Sequence, residues 1–390
     1  MPDRNEPPGD ALAEVLDRMI GSGRAAAGEV ARARGYAQRL VKRLLPRSAS
    51  QRRLLLANVP GEMLQAVSRR LRDEARARRH AKPRETLQLA ELAVAAAERI
   101  GPENEEEDGR GVTLAEALTE RGNTRRLVGD LAGAERDFAE ARRLLSEHGG
   151  DALAEAELLS LQACLARDRR HFAEAIDLAD EACSIYAFYG QVTGALSSLI
   201  QLGTLHGYAG RHDEGIDILG GALELAVDLG DSKDLLHVAN NIAFLLAEAG
   251  LAADAAAVVD RARELCDEVG TRRDGLRLDW LSARIRADLG HHSAAAIILA
   301  DLRAAYGDEG MPHEAALVSL ELALAYARLG RRVELRHLAE ETADAFRLLG
   351  VEREAIGALA LLVRADAEEA AELAARLVAA VRRARSRGEP

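Results

Sequence analysis

Residues 207–231, GYAGRHDEGIDILGGALELAVDLGD, are mostly helix formers, yet glycine stands at Gly210 and Gly230. Glycine inside a helix costs about 1 kcal/mol relative to alanine, so two of them twenty residues apart mark helix ends rather than interiors. Steps of forty from Gly210 land on Gly250, Gly290 and Gly330, and steps from Gly230 land on Gly150, Gly190, Gly270, Gly310 and Gly350. Each follows a run with an apolar stripe, where the backbone leaving a helix needs positive φ, a conformation open to glycine without steric penalty. The pattern predicts helix, turn, helix, turn on a forty-residue period, and such a period implies stacked repeats in place of two or three globular domains.

Composition agrees with closely packed short helices: aromatic residues are only 3% and alanine and leucine dominate. No run of alternating β-branched residues bounded by turns suggests a strand. Cys164, Cys183 and Cys266 are too few and too irregularly spaced for a disulfide framework, which points to a reduced, cytoplasmic chain. The opening MPDRNEPPGDALAEVLDRMI lacks the apolar core of a signal peptide, and the longest apolar run, AIGALALLV at 355–363, is too short to span a bilayer. No membrane partner is expected.

The pattern divides the chain into a disordered polar tail (1–9), a basic N-terminal helical segment (10–60) and a degenerate first helix pair (61–101). An acidic loop (102–110, within PENEEEDGR) follows, then six regular pairs over 111–350 and capping helices over 351–390. In the pair 191–230, Leu199, Leu202 and Gly203 precede Gly210, while Gly215, Leu219 and Ala222 follow it. The pair 231–270 repeats this with Ile242, Ala243, Gly250, Ala255, Val259 and Ala262, and the pair 111–150 with Gly122, Gly129, Ala134, Phe138 and Ala141. Small residues at these points let the two helices of a pair approach closely.

That spacing resembles the tetratricopeptide repeat, lengthened from thirty-four residues to forty as in the subgroup found in bacterial signalling sensors and regulators. The resemblance covers roughly residues 61–386. It implies an all-α fold, a right-handed α-α superhelix or solenoid of about eight helix pairs, whose concave wall is lined by the first helix of each pair. Some members clamp a partner's C-terminal carboxylate with asparagines and basic residues. Asn123 falls where the first clamp asparagine would be, but Thr119 stands at the lysine position and Leu161 at the second asparagine, so recognition of that kind is not expected.

The inward positions in this register are Ser197, Ile200, Thr204 and Tyr208; then His237, Asn240, Asn241, Phe244 and Glu248; then Arg277, Trp280, Arg284 and Asp288. Arg277 and Arg284 flank Trp280, the sole tryptophan, at i−3 and i+4 and share its helix face. Tryptophan and arginine dominate binding hot spots, so Thr204, Tyr208, His237, Asn240, Asn241, Phe244, Arg277, Trp280 and Arg284 form the candidate partner-binding groove for a protein or peptide segment, acidic in character. The structural alternative has Trp280 filling a gap between pairs while Arg284 bonds Asp288 and Arg277 bonds Asp274 along the helix.

The formal charge of −12 hides an asymmetry: residues 24–84 hold seventeen Arg and Lys against four Asp and Glu. The run RRLRDEARARRHAKPR (69–84) is open to three readings: a solvated or self-docking face, a surface for an acidic protein, or a nucleic-acid contact. Nucleic acid is the least favoured, because Tyr36 is the lone aromatic residue in the segment and no DNA-binding motif accompanies it.

Catalytic signatures are missing: no phosphate-binding GxxxxGK, no HExxH, no nucleophile elbow. His291–His292 and His212–Asp213 fall at turns, and no cofactor or metal is expected. The sequence thus predicts a non-enzymatic interaction scaffold or adaptor, with a regulatory sensor as the alternative, in which a ligand alters curvature and frees or hides the basic segment.

Overall fold

The computed structural model describes residues 27–79, 83–101, 109–148, 150–309 and 311–349. The polar tail at 1–9, most of the acidic loop, Gly310, Gly350 and the capping helices at 351–390 lie outside them. The chain divides into two compact units, Met1–Leu165 and Ala166–Pro390.

In the first unit, α1 (27–44) and α2 (Ala49–Ala57) precede a single 3-10 turn at Gly61–Met63, then α3 (Leu64–Arg78), α4 (Pro83–Glu98), α5 (Gly109–Leu127), α6 (Leu131–Glu147) and most of α7 (Ala152–Asp168). Ser48 caps α2, accepting from the Gln51 amide while the Gln51 side chain accepts from the Ser48 amide. One apolar core runs from Leu40, Val41 and Leu44 of α1 through Val67 and Leu71 of α3 to Phe138 of α6 and Leu158 of α7. The small-large-small pattern has its expected effect: Ala134, Phe138 and Ala141 are buried, and a Cβ on Gly122 would lie 2.7 Å from the Phe138 ring.

The second unit holds α8 (Phe172–Phe188), α9 (Val192–Tyr208), α10 (His212–Leu229), α11 (Ser232–Glu248), α12 (Ala252–Val269), α13 (Arg272–Asp288), α14 (His292–Asp308), α15 (Pro312–Arg328) and α16 (Arg332–Leu349). Each packs on the next, and the first helices of successive pairs, α9, α11, α13 and α15, also touch one another. Ala255, Val259 and Ala262 are buried in α12, as are Gly215, Leu219 and Ala222 in α10. Every regular element among the described residues is helical.

The glycine register is obeyed with three departures, one of them Gly150, whose φ is not in the left-handed range. Gly190, Gly210, Gly230, Gly250, Gly290 and Gly330 all have positive φ. Gly270 does not: its φ is −71°, and the chain passes in extended form straight into the Thr271 capping box of α13. Conversely, forty residues before Gly210 the left-handed position is filled by Arg170, with φ 59°.

Candidate functional site

The nine predicted groove residues lie on α9, α11 and α13. Two are occupied within their own helix. Thr204 donates its hydroxyl to the Ile200 carbonyl (2.7 Å), and Asn241 donates its amide to the His237 carbonyl (2.8 Å). Asn240 is half-buried, whereas His237 and Arg277 are exposed. Both act on Asp274 at the start of α13: burial pushes that carboxyl up, but hydrogen bonds from Thr271 and the charges of His237 and Arg277 bring it below its usual range.

The aromatic residues separate into two groups. Tyr208 and Phe244 meet with ring centroids 6.1 Å apart and planes tilted by 60°. On the far side of Tyr208, Phe172 stacks at 6.3 Å and 22°. The Arg170 guanidinium carbon lies 5.5 Å from the Phe172 centroid, and that of Arg284 lies 5.9 Å from the Phe244 centroid. The result is a continuous diagonal of three rings with a guanidinium at each end. Trp280 takes no part in it. Its ring packs edge-on against Tyr306 at 5.9 Å, among the core side chains of α14 and α15, and its Nε1 donates to Glu321 at 2.9 Å.

Arg284 does not bond Asp288 as the helical spacing suggests; it pairs with Glu248 of α11. Burial works against its charge, but Glu321, Glu248 and Asp288 together raise its pKa. Three carboxylates therefore converge on one arginine, and the only hydrogen bond described for its buried fork goes to Glu248, leaving Nε without an acceptor among the described residues.

Phe172 and Arg170 were absent from the sequence expectation. Phe172, Tyr208, Phe244 and Trp280 stand thirty-six residues apart, one helical turn short of the repeat, so a forty-residue register does not align them.

In the first unit part of the basic run is engaged by acidic side chains. Arg69, Arg72, Arg76 and Arg79 share one face of α3, and that face lies on acidic residues of α5 and α7. Arg72 pairs with Glu116, Arg76 with Glu157 and with Glu120 at 3.7 Å, and Arg79 with Glu120 at 3.1 Å. Glu120 is 1% exposed. Burial pushes its carboxyl upward, and the charges of Arg79 and Arg76 offset this only in part. Asn123 is buried and accepts from Arg126 (3.0 Å), and Thr119 donates to the Ala115 carbonyl, so neither projects a clamp.

Among the described residues, no group of three or more His, Cys, Asp and Glu side chains could hold a metal, and no helix is long and apolar enough to cross a membrane. None of the three cysteines is in a disulfide.

No family model matches the chain, and no curated protein does. Solved structures do. The chain is similar to a Rap protein crystallised with competence and sporulation factor, at 14% identity and a TM-score of 0.60, over 93% of this chain and 100% of that one. The fold is tetratricopeptide-like. Aspartyl phosphate phosphatase F from Bacillus subtilis aligns at 13% identity and a TM-score of 0.54, over 93% of this chain and 94% of that one. The Rap conjugation gene regulator of plasmid pLS20, in complex with the Phr* peptide, aligns at 11% and 0.51, over 84% and 98%.

Proposed function

We propose that this chain is a non-enzymatic, peptide-binding adaptor or regulator whose ligand lies on the first-helix face of the second unit. The observation that carries this reading is the ring diagonal. Tyr208 contacts both Phe172 and Phe244 while keeping 38% of its surface exposed, a stepped apolar platform of the kind that anchors extended segments. Two Rap proteins of similar fold have been crystallised with competence and sporulation factor and with the Phr* peptide, which supports a short peptide as the ligand class.

The acidic ligand expected from Arg277, Trp280 and Arg284 has less support at the Phe244 end of the diagonal. Arg284 is already held by Glu248, and Glu321 and Asp288 add two more negative charges beside it. A ligand with apolar anchors and a cationic group near Phe244 suits this end of the diagonal better.

The regulatory-sensor alternative is favoured by one observation: three arginines of the basic run, Arg72, Arg76 and Arg79, are paired with acidic residues of α5 and α7.

The test is equilibrium dialysis of the full chain against a degenerate octapeptide library, with the retained peptides read by mass spectrometry. The wild type should enrich a definable set, and Tyr208→Ala/Phe244→Ala should lose it while keeping its helical circular dichroism. Equal enrichment by both proteins would refute the assignment of the face.

A further inference from the structure

Six glycines lie within α9 and α10: Gly194, Gly203, Gly207, Gly215, Gly220 and Gly221. Helices α8, α11, α12, α15 and α16 contain none, and α13 and α14 hold one each, Gly275 and Gly307, within four residues of a helix end. Four of the six serve packing. A Cβ on Gly194 would lie 2.5 Å from the Tyr186 ring, one on Gly203 or Gly207 would run into Leu219 or Leu245, and one on Gly215 would lie 2.6 Å from the Gly203 carbonyl oxygen. The other two do not. Gly220 and Gly221 stand side by side in the middle of α10, and a Cβ at either meets nothing within 4 Å. At the same two places α8 carries Asp180 and Glu181, α12 Asp260 and Arg261, α14 Ala300 and Asp301, and α16 Glu340 and Glu341. Glycine loses more backbone freedom on entering a helix than these residues do, so the pair weakens α10 with no packing gained in return.

The same repeat is weakened a second time, in its first helix. Val238 of α11, Leu278 of α13 and Val318 of α15 are aliphatic side chains no more than 1% exposed. Ser198 holds the equivalent place in α9. It is also 1% exposed, and its hydroxyl has no hydrogen-bond partner among the described residues. Apolar burial is lost there and a polar atom is stranded.

A repeat is stabilised by its own helices and by contacts with its neighbours, so the repeat whose helices are weakest is where a stack yields. We propose that α9–α10 is the yielding element of the second unit, opening locally while α11–α12 and α13–α14 stay folded. Tyr208 ends α9, so opening dismantles the centre of the ring diagonal. A ligand held on the rings therefore closes the pair, and order in α10 follows occupancy. The local opening stands on the glycines and Ser198 alone, whereas its coupling to a ligand rests on the peptide-binding reading above.

Hydrogen exchange of the full chain, followed by mass spectrometry, tests both parts. Amides in the middle of α10 should exchange about tenfold faster, or more, than those in the middle of α12 and α14. Gly220→Ala/Gly221→Ala should slow exchange in α10 by about ten- to thirtyfold and leave α12 and α14 unchanged. Ser198→Val should slow it in α9. Equal protection of α10, α12 and α14 in the wild type, or no slowing in the double variant, overturns the proposal and leaves the peptide site untouched. The coupling is read by adding the octapeptides retained from the degenerate library, which should slow exchange across α9 and α10 and leave α16 unchanged. Retained octapeptides that bind without slowing α9 and α10 overturn the coupling. A library from which nothing is retained removes the peptide site and the coupling with it, while the contrast between α10 and its neighbours still decides the local opening.

Discussion

Gly203 and Gly221 both lie inside helices, and alanine should shift stability in opposite directions at the two sites. On helix propensity alone each replacement gains about 1 kcal/mol. At Gly221, in the middle of α10, an added Cβ meets nothing within 4 Å, so the gain stands undiminished. At Gly203, in α9, the same Cβ would lie 2.7 Å from Leu219 Cγ and 2.9 Å from the Gly215 carbonyl oxygen. Leu219 could change rotamer, but the carbonyl is backbone, so α9 and α10 must separate. Overpacking of that kind costs about 1–3 kcal/mol, and with a backbone atom in the way the upper half applies, leaving Gly203→Ala destabilised by about 1–2 kcal/mol. For a unit of this size 1 kcal/mol moves the midpoint by about 2–4 °C, so thermal melts followed by circular dichroism should place the variants on either side of wild type. Shifts of the same sign would refute the close α9–α10 packing from which the prediction derives.

Three further outcomes follow from the described contacts. Arg284→Met should destabilise the second unit by about 1–3 kcal/mol in chemical denaturation, because it removes the partner of Glu248 and a cation beside Glu321 and Asp288. Arg79→Ala should weaken the first unit by a similar amount, because it strips a 3.1 Å ion pair from the buried Glu120, and the effect should persist in high salt, as surface pairs do not. The Glu120 carboxyl is raised in the folded chain above its unfolded value, so its contribution is fully present below the unfolded pKa and fades as pH rises through the folded one. Melting temperatures of wild type and Glu120→Gln between pH 4 and 7 should therefore show wild type losing ground relative to the variant as pH increases.

The fold was legible because two periodicities coincide in the sequence: apolar stripes at helical spacing and glycines at the stops. Both are local consequences of backbone geometry. Gly270 shows the limit of that reasoning. A glycine at a repeat boundary was expected to turn left-handed, but Thr271 and Asp274 supply a capping box that starts α13 directly, and no such turn forms. The site was legible only in outline. Register arithmetic put the candidates on α9, α11 and α13, but which residues touch depends on a one-turn offset between repeats. Phe172, Tyr208 and Phe244 are joined by a thirty-six-residue spacing hidden beneath the forty-residue one. Trp280 and Arg284 find their partners in the neighbouring pairs, at Glu321 and Glu248, beyond the reach of i, i+4 reasoning within a helix. The charge asymmetry was plain in the composition, yet only packing reveals that Arg72, Arg76 and Arg79 pair with Glu116, Glu120 and Glu157.

The central claim concerns where a peptide lies, and photo-crosslinking tests it most directly. A benzophenone amino acid would replace Tyr208, and in a control chain Phe188, an aromatic residue 83% exposed at the end of α8 and outside the ring diagonal. Each protein is irradiated with the peptide set enriched from the octapeptide library. The account predicts covalent adducts at position 208, suppressed by excess unlabelled peptide, and none above background at position 188. Adducts at 188 and not at 208, or at neither position, would contradict it.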